Sequence, residues 1–142
     1  MIYIKIYEVI FKLFAGAILG GLIGIERSFF KQRPGLRTFS LVSLGATLIS
    51  TLSTYFPIDS ASRILANIIV GIGFLGGGVI FFHEEKLIGA TTAAAIWVTA
   101  AIGMAIGLGF YLEAILATIL TIIILAFLPY LEEKIKKFYE KF

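Results

Sequence analysis

LIGATTAAAIWVTAAIGMAIGLGFYL, Leu87–Leu112, runs for 26 residues without one charged side chain. A helix needs about 20 apolar residues to cross the hydrocarbon core of a bilayer, so this stretch is a membrane segment with residues to spare. Two more uncharged runs precede it, Thr38–Phe56 and Ile64–Phe82, each of 19 residues. An apolar segment near Val9–Ile25 lies before them, and Ala114–Leu131 is nearly another. The excess length of Leu87–Leu112 divides at Gly107-Leu108-Gly109, giving a fourth span near Thr91–Gly107 and a fifth near Phe110–Leu128. The turn between these two must be very short, which predicts an antiparallel hairpin of helices. The expected fold is an all-α membrane protein, a compact bundle of about five transmembrane helices with glycine-rich close packing over residues 1–131. A short charged amphipathic cytoplasmic tail, 132–142, follows. Ile135, Phe138, Tyr139 and Phe142 recur there at helical spacing, which predicts a helix along the membrane surface.

Composition agrees. The chain is 59% hydrophobic and 15% charged, with mean hydropathy +1.00, where soluble domains carry about 25% charged residues. The absence of cysteine excludes disulfides, thiolate metal sites and cysteine nucleophiles. One histidine, His83, cannot build a multi-histidine metal site, and no metal-ligand set or cofactor is assigned. The net charge of +3 reports membrane orientation first and implies no nucleic-acid partner; the partner at hand is the lipid bilayer. With five spans, Lys5, Lys12 and Arg63 lie on one side. Arg27, Lys31, Arg33, Arg37, Lys86, Lys134, Lys136, Lys137 and Lys141 lie on the other. The positive-inside rule then sets the N-terminus outside and the C-terminus inside. Lys5, Glu8 and Lys12 interrupt the first apolar stretch and no cleavage site follows it, so that segment is expected to be retained. Glu8 and Lys12, four apart, can pair on one face.

Glycines recur at helical spacing. Gly16, Gly20 and Gly24 form a ridge on the first span, and Gly103 and Gly107 another on the fourth. Such ridges let helix backbones approach closely in lipid, within the chain or across a homo-oligomer. Gly71–Gly78 holds five glycines in eight residues, including Gly73, Gly76 and Gly78. That density fits either very close helix contact or a broken helix exposing backbone groups. Ser40, Ser43, Thr47 and Ser50 give the second span a stripe of hydroxyls.

The candidate functional groups are polar residues in or bordering the spans. Glu26 and Arg27 close the first span, and Arg37 and Thr38 open the second. A carboxylate beside an apolar helix needs compensation, and Arg27 or Arg37 can supply it. Asn67 sits within the third span, where a buried amide wants several partners. Thr91, Thr92 and Trp97 mark the fourth, and the depth of Trp97 predicts a protein partner for its indole N–H. No mid-membrane acidic cluster, arginine ladder, phosphate-binding loop or catalytic triad is present, and enzymatic activity is not expected.

Four ordered motifs carry a family resemblance: GGLIGIER (20–27), PGLRT (34–38), GIGFLGGGVI (71–80) and TTAAAIWVTAAIG (91–103). Together they closely resemble the MgtC/SapB family of bacterial membrane proteins over roughly Phe14–Leu131. The resemblance implies a five-helix domain of the bacterial inner membrane. Its best-known members serve growth under low magnesium and survival inside macrophages, and are linked to inhibition of the F-type ATP synthase. The motif positions map to Glu26, Arg27, Gly35, Leu36, Arg37, Thr38, Gly73, Phe74, Gly76, Gly78, Thr91, Thr92 and Trp97. The virulence-type members carry a soluble C-terminal domain, where this chain has only its short tail. Phe39 and Ile88 stand where the family often has a polar and a basic residue. The leading expectation is a non-enzymatic protein of magnesium and ion homeostasis that acts by contact with another membrane protein. The alternatives are a small transporter or channel for Mg²⁺ or another ion, and a purely structural oligomeric subunit.

Overall fold

Every apolar run of the sequence forms a helix long enough to span a bilayer. The computed structural model describes residues 2–83 and 86–139, the first three of these by backbone alone. In order come α1 (Ile2–Phe29), α2 (Leu36–Ser53), α3 (Ile58–Gly77), β1 (Phe81–His83), β2 (Lys86–Ile88), α4 (Ala90–Leu108) and α5 (Tyr111–Tyr139). All five helices qualify as membrane spans by length and hydropathy.

The organising element is α2, which is clamped between α1 and α4. The glycine ridges make this possible. A Cβ placed on Gly20 would come within 2.5 Å of the Phe39 carbonyl oxygen, and one on Gly24 within 2.6 Å of Leu36 Cα. Gly16 would meet Thr47. From the other side, a Cβ on Gly107 would lie 2.6 Å from the Thr47 carbonyl oxygen, and one on Gly103 would meet Ser43. In lipid, where apolar burial does not drive helices together, this backbone-to-backbone approach is the main source of packing energy. The ridges therefore hold the chain's own helices together.

The hydroxyl stripe sits in the same seam. Ser43, Thr47, Ser50, Thr51 and Ser53 are buried. Thr47 Oγ1 shares its hydrogen between the Ser43 carbonyl at 2.8 Å and the Gly103 carbonyl of α4 at 2.9 Å. Thr51 Oγ1 reaches the Gly107 carbonyl at 3.4 Å. Ile23, Phe39, Ile96, Ile102 and Ile106 fill the core around this seam. Phe39 is fully buried.

Connections are short. Ser28 Oγ donates to the Gly24 carbonyl at 2.8 Å and accepts from the Leu36 N–H at 3.1 Å, closing the α1–α2 loop. Between α4 and α5, Gly109 adopts φ 91°, and the Phe110 N–H bonds back to the Ala105 carbonyl at 2.8 Å. A left-handed glycine with this return bond is a standard helix stop. It lies at the expected division of the long uncharged run. Glu8 and Lys12 pair at 2.7 Å, as their spacing predicts, and Lys12 is buried.

Two expectations are corrected. The third span, Ile58–Gly77, begins six residues before the uncharged run and ends five before its end, with Pro57 capping it and Asp59 in its first turn. A hydropathy window excludes the charged first turn of such a helix, although interfacial charges belong there. Phe81, Phe82, Leu87 and Ile88 are then strand residues, in an exposed antiparallel hairpin pairing Phe81 with Ile88. His83 pairs with Lys86 at the end of the strands, and Glu84 and Glu85 lie outside the described residues. Residues 132–139 are helical, as their spacing predicts, and prolong α5 through Pro129. Phe142 lies outside the described residues.

The Gly71–Gly78 cluster is neither a tight contact nor a break. Helix α3 is continuous through Gly71, Gly73 and Gly76, and a Cβ on Gly71, Gly73 or Gly77 would meet nothing within 4 Å. Gly76 faces Ala93 of α4 at an ordinary 3.6 Å, and Gly78 caps the helix.

Candidate functional site

Helix α1 ends on two adjacent charged residues, and both are withdrawn from the surface. Glu26 is 8% exposed and Arg27 6%. Neighbouring side chains on a helix diverge by about 100°, so such residues do not normally face each other. Accordingly their contact is loose: Arg27 Nη1 lies 3.7 Å from Glu26 Oε2, beyond hydrogen-bond range. Both Glu26 oxygens and Arg27 Nε are buried without a hydrogen-bond partner among the described residues.

These groups line a cleft of about 450 Å³ between the end of α1, the start of α4 and the middle of α5. The hairpin brings α4 there. Gly89, at φ 92°, turns the chain into the helix, packed so close to the Val79 carbonyl that a Cβ could not fit. Ala90, Thr91 and Thr92 form the first turn of α4, which has no side-chain cap. That turn presents backbone N–H groups that lack intrahelical acceptors. Thr92 is buried and Thr91 exposed. Across the cleft, Leu125, Pro129 and Glu132 come from α5. Proline at 129 has no N–H, so the Leu125 carbonyl lacks its usual helical donor. The cleft thus combines carboxylates (Glu26 and, at its rim, Glu132) with donors (Arg27 and the α4 N-terminus).

Four of the expected site residues meet here: Glu26, Arg27, Thr91 and Thr92. The others do not. Arg37 and Thr38 are exposed and line a separate hollow with Lys31, Arg33 and Ser28. Arg37 forms no ion pair with Glu26 among the described residues, because α1 and α2 cross with Gly24 on Leu36 and send the two side chains to different sides. Asn67 is exposed rather than buried, on an apolar groove between α2 and α3. Trp97 is 47% exposed and has no hydrogen bond among the described residues. It lies against Ile69, Ile72 and Met104. Sequence reasoning missed Gln32, Pro129 and Glu132. Pro129 within an apolar helical run was the available signal, since it frees a carbonyl. Among the described residues no three His, Cys, Asp or Glu side chains gather into a metal-binding group.

The family model that describes the MgtC family matches residues 13–134, nearly the whole bundle. The chain belongs to the MgtC family. Protein MgtC of Salmonella typhimurium is 43% identical over 114 residues, covering 80% of this chain and 49% of that protein. Protein MgtC of Brucella abortus is 44% identical over 116 residues, with the same coverages. A protein of Escherichia coli K12 named "Putative magnesium transporter YhiD" is 40% identical over 127 residues, covering 83% of this chain and 59% of that protein. The chain therefore spans about half to three-fifths of the length of these curated relatives. No solved structure matches the chain. MgtC-family membership and five apolar helices make this a multi-pass membrane protein.

Proposed function

We propose that this MgtC-family chain is a non-enzymatic protein of the bacterial inner membrane that supports growth under magnesium limitation by contact with another membrane protein. The observation carrying this reading is the bareness of α3. Half of the most apolar stretch of α4 is buried inside the bundle, but only 11% of that of α3. Its open side carries Gly71, Gly73, Val70 and Phe74. Glycine costs a helix about 1 kcal/mol relative to alanine in water and gives lipid nothing to pack against. Glycines with open space beside them suit a second helix approaching closely. The F-type ATP synthase linked to the family is one such partner to test. The nine-to-three split of basic residues favours a cytoplasmic Glu26–Arg37 loop and C-terminus.

The test pairs folding with function. Gly73→Leu and Phe74→Ala should leave detergent stability nearly unchanged and abolish the protein's support of growth in low magnesium. Normal growth with both variants overturns the contact reading. A transporter is the second reading, favoured by the name of the Escherichia coli relative and by the buried Glu26 carboxylate. Purified protein in liposomes should give Mg²⁺ flux no higher than empty vesicles; flux above that background would replace the contact reading with transport.

A further inference from the structure

The geometry points to the Glu26–Arg27 cleft as a binding site for a phosphoethanolamine group, supplied by the headgroup of a membrane lipid. Two independent features meet there. One is a set of buried polar atoms with unused hydrogen bonds: both oxygens of Glu26 and Nε of Arg27, on side chains 93% buried. Buried polar atoms left without partners are uncommon in folded proteins, and a ligand that supplies the partners accounts for them. The other is the uncapped first turn of the 19-residue α4, whose free N–H groups and dipole favour an anion.

The two features ask for opposite charges on one ligand. The two Glu26 oxygens want a hydrogen-bond-donating cation, and Glu132 on the rim of the cleft adds a second carboxylate. Arg27 Nε and the start of α4 want an anion. A bare Mg²⁺ ion satisfies only the first set, and the Arg27 guanidinium 3.7 Å from the Glu26 carboxylate opposes it. A free phosphate satisfies only the second set, and Glu26 opposes that. A primary ammonium joined by two carbons to a phosphate satisfies both. The ammonium donates to the Glu26 oxygens, and the phosphate accepts from Arg27 and the α4 N–H groups.

The surroundings select a lipid as the source. Ile124, Leu128 and Leu87 border the cleft, so acyl chains would run along apolar side chains. The cleft also lies where α1 ends and α4 begins, at the end of the membrane spans, the depth of phospholipid headgroups.

The test uses the full chain purified in detergent and reconstituted in nanodiscs of phosphatidylcholine doped with one other lipid. Bound lipid is read by native mass spectrometry and thermal stability by unfolding. Phosphatidylethanolamine should be retained about tenfold or more over phosphatidylcholine. Its trimethylated headgroup has no N–H to give the Glu26 oxygens, and a buried acceptor left unmet costs about that factor. Phosphatidylglycerol, an anion without an ammonium, should be retained no better than phosphatidylcholine. Soluble O-phosphoethanolamine separates the sources. If it displaces the lipid and protects protein in pure phosphatidylcholine discs, the headgroup chemistry holds and a soluble ligand is the occupant. If it does neither while phosphatidylethanolamine is retained, the lipid is the occupant. Glu26→Gln should remove the preference, and Arg63→Gln, at the opposite end of the bundle, should keep it. Equal retention of phosphatidylethanolamine and phosphatidylcholine by the wild-type protein overturns the proposal without recourse to any variant. So does equal retention of phosphatidylglycerol, or stabilisation by Mg²⁺ alone.

Discussion

Helices α1 and α3 are both rich in glycine, and the bundle treats them in opposite ways. On α1, Gly16, Gly20 and Gly24 are pressed against the backbone and side chains of α2, with no room for a Cβ. On α3, Gly71, Gly73 and Gly77 face open space. The difference follows from what lies across from each ridge. Helix α2 offers α1 and α4 small hydroxyl residues, of which Thr47 and Thr51 bond to carbonyls of α4 across the seam, so backbones can close up. Helix α3 touches the bundle through Ala61, Leu65, Ile68, Ile72 and Gly76 and leaves its opposite face uncovered. A small-residue ridge thus has two uses in a membrane protein: one closes the fold, and the other stays available after folding.

Substitution separates the two. The largest effect is expected for Gly20→Leu. The new side chain must displace the Phe39 carbonyl and Ser43, which belong to a helix held from both sides. Overpacking costs about 1–3 kcal/mol and occasionally more; with backbone in the way this variant belongs at the top of that range or beyond. Loss of the folded protein in mild detergent checks it, and wild-type stability would show that α1 and α2 can separate without penalty.

A smaller loss is expected for Thr47→Val, which keeps the shape and removes the hydroxyl shared with Gly103. Interhelical hydrogen bonds of this kind are worth about 0.6 kcal/mol on average and up to about 1.7. A shift in the unfolding midpoint within that range would assign the seam's polar contribution. A larger shift would mean that the hydroxyls, not the glycines, hold α2 to α4.

Smaller still is the response of α3. Gly73→Leu should change stability by no more than about 0.5 kcal/mol, as for an ordinary surface substitution. Gly76→Ala should also be tolerated, because its Cβ would meet Ala93 at 3.6 Å. Unfolding of Gly73→Leu in monodisperse protein would show that α3 is packed after all, and the contrast with α1 would collapse. At the low end stands the pair Glu26→Gln and Arg37→Gln. The two lie in different hollows, so their effects should add within about 0.3–0.5 kcal/mol. Strong non-additivity would put Arg37 back beside Glu26.

Much of the architecture is legible in residue order. Uncharged runs long enough to span a bilayer dictate five helices, because unpaired backbone polar groups cannot be left in lipid. Gly109 fixes the turn between α4 and α5 because few other residues take its left-handed conformation. The i, i+4 spacing of Glu8 and Lys12 brings them together on any helix. The family's motifs are equally plain, and they name the ends of α1 and α4 as places of interest. Which of these residues share a cleft depends on how the helices cross. The crossing of α1 on α2 at Gly24 and Leu36 separates Arg37 from Glu26, although the loop between them is short. The hairpin and Gly89 deliver Thr91 and Thr92 to Glu26 from far along the chain. Pro129 and Glu132 join them only because α5 remains helical through its proline. Asn67 and Trp97 are polar groups inside apolar runs, and periodicity alone cannot say whether such a group faces the bundle or its outside. Composition and spacing decide what a membrane segment is, since the bilayer acts on each helix separately. The rotation and crossing of each helix decide its partners, and these are set by the sum of contacts with all the others.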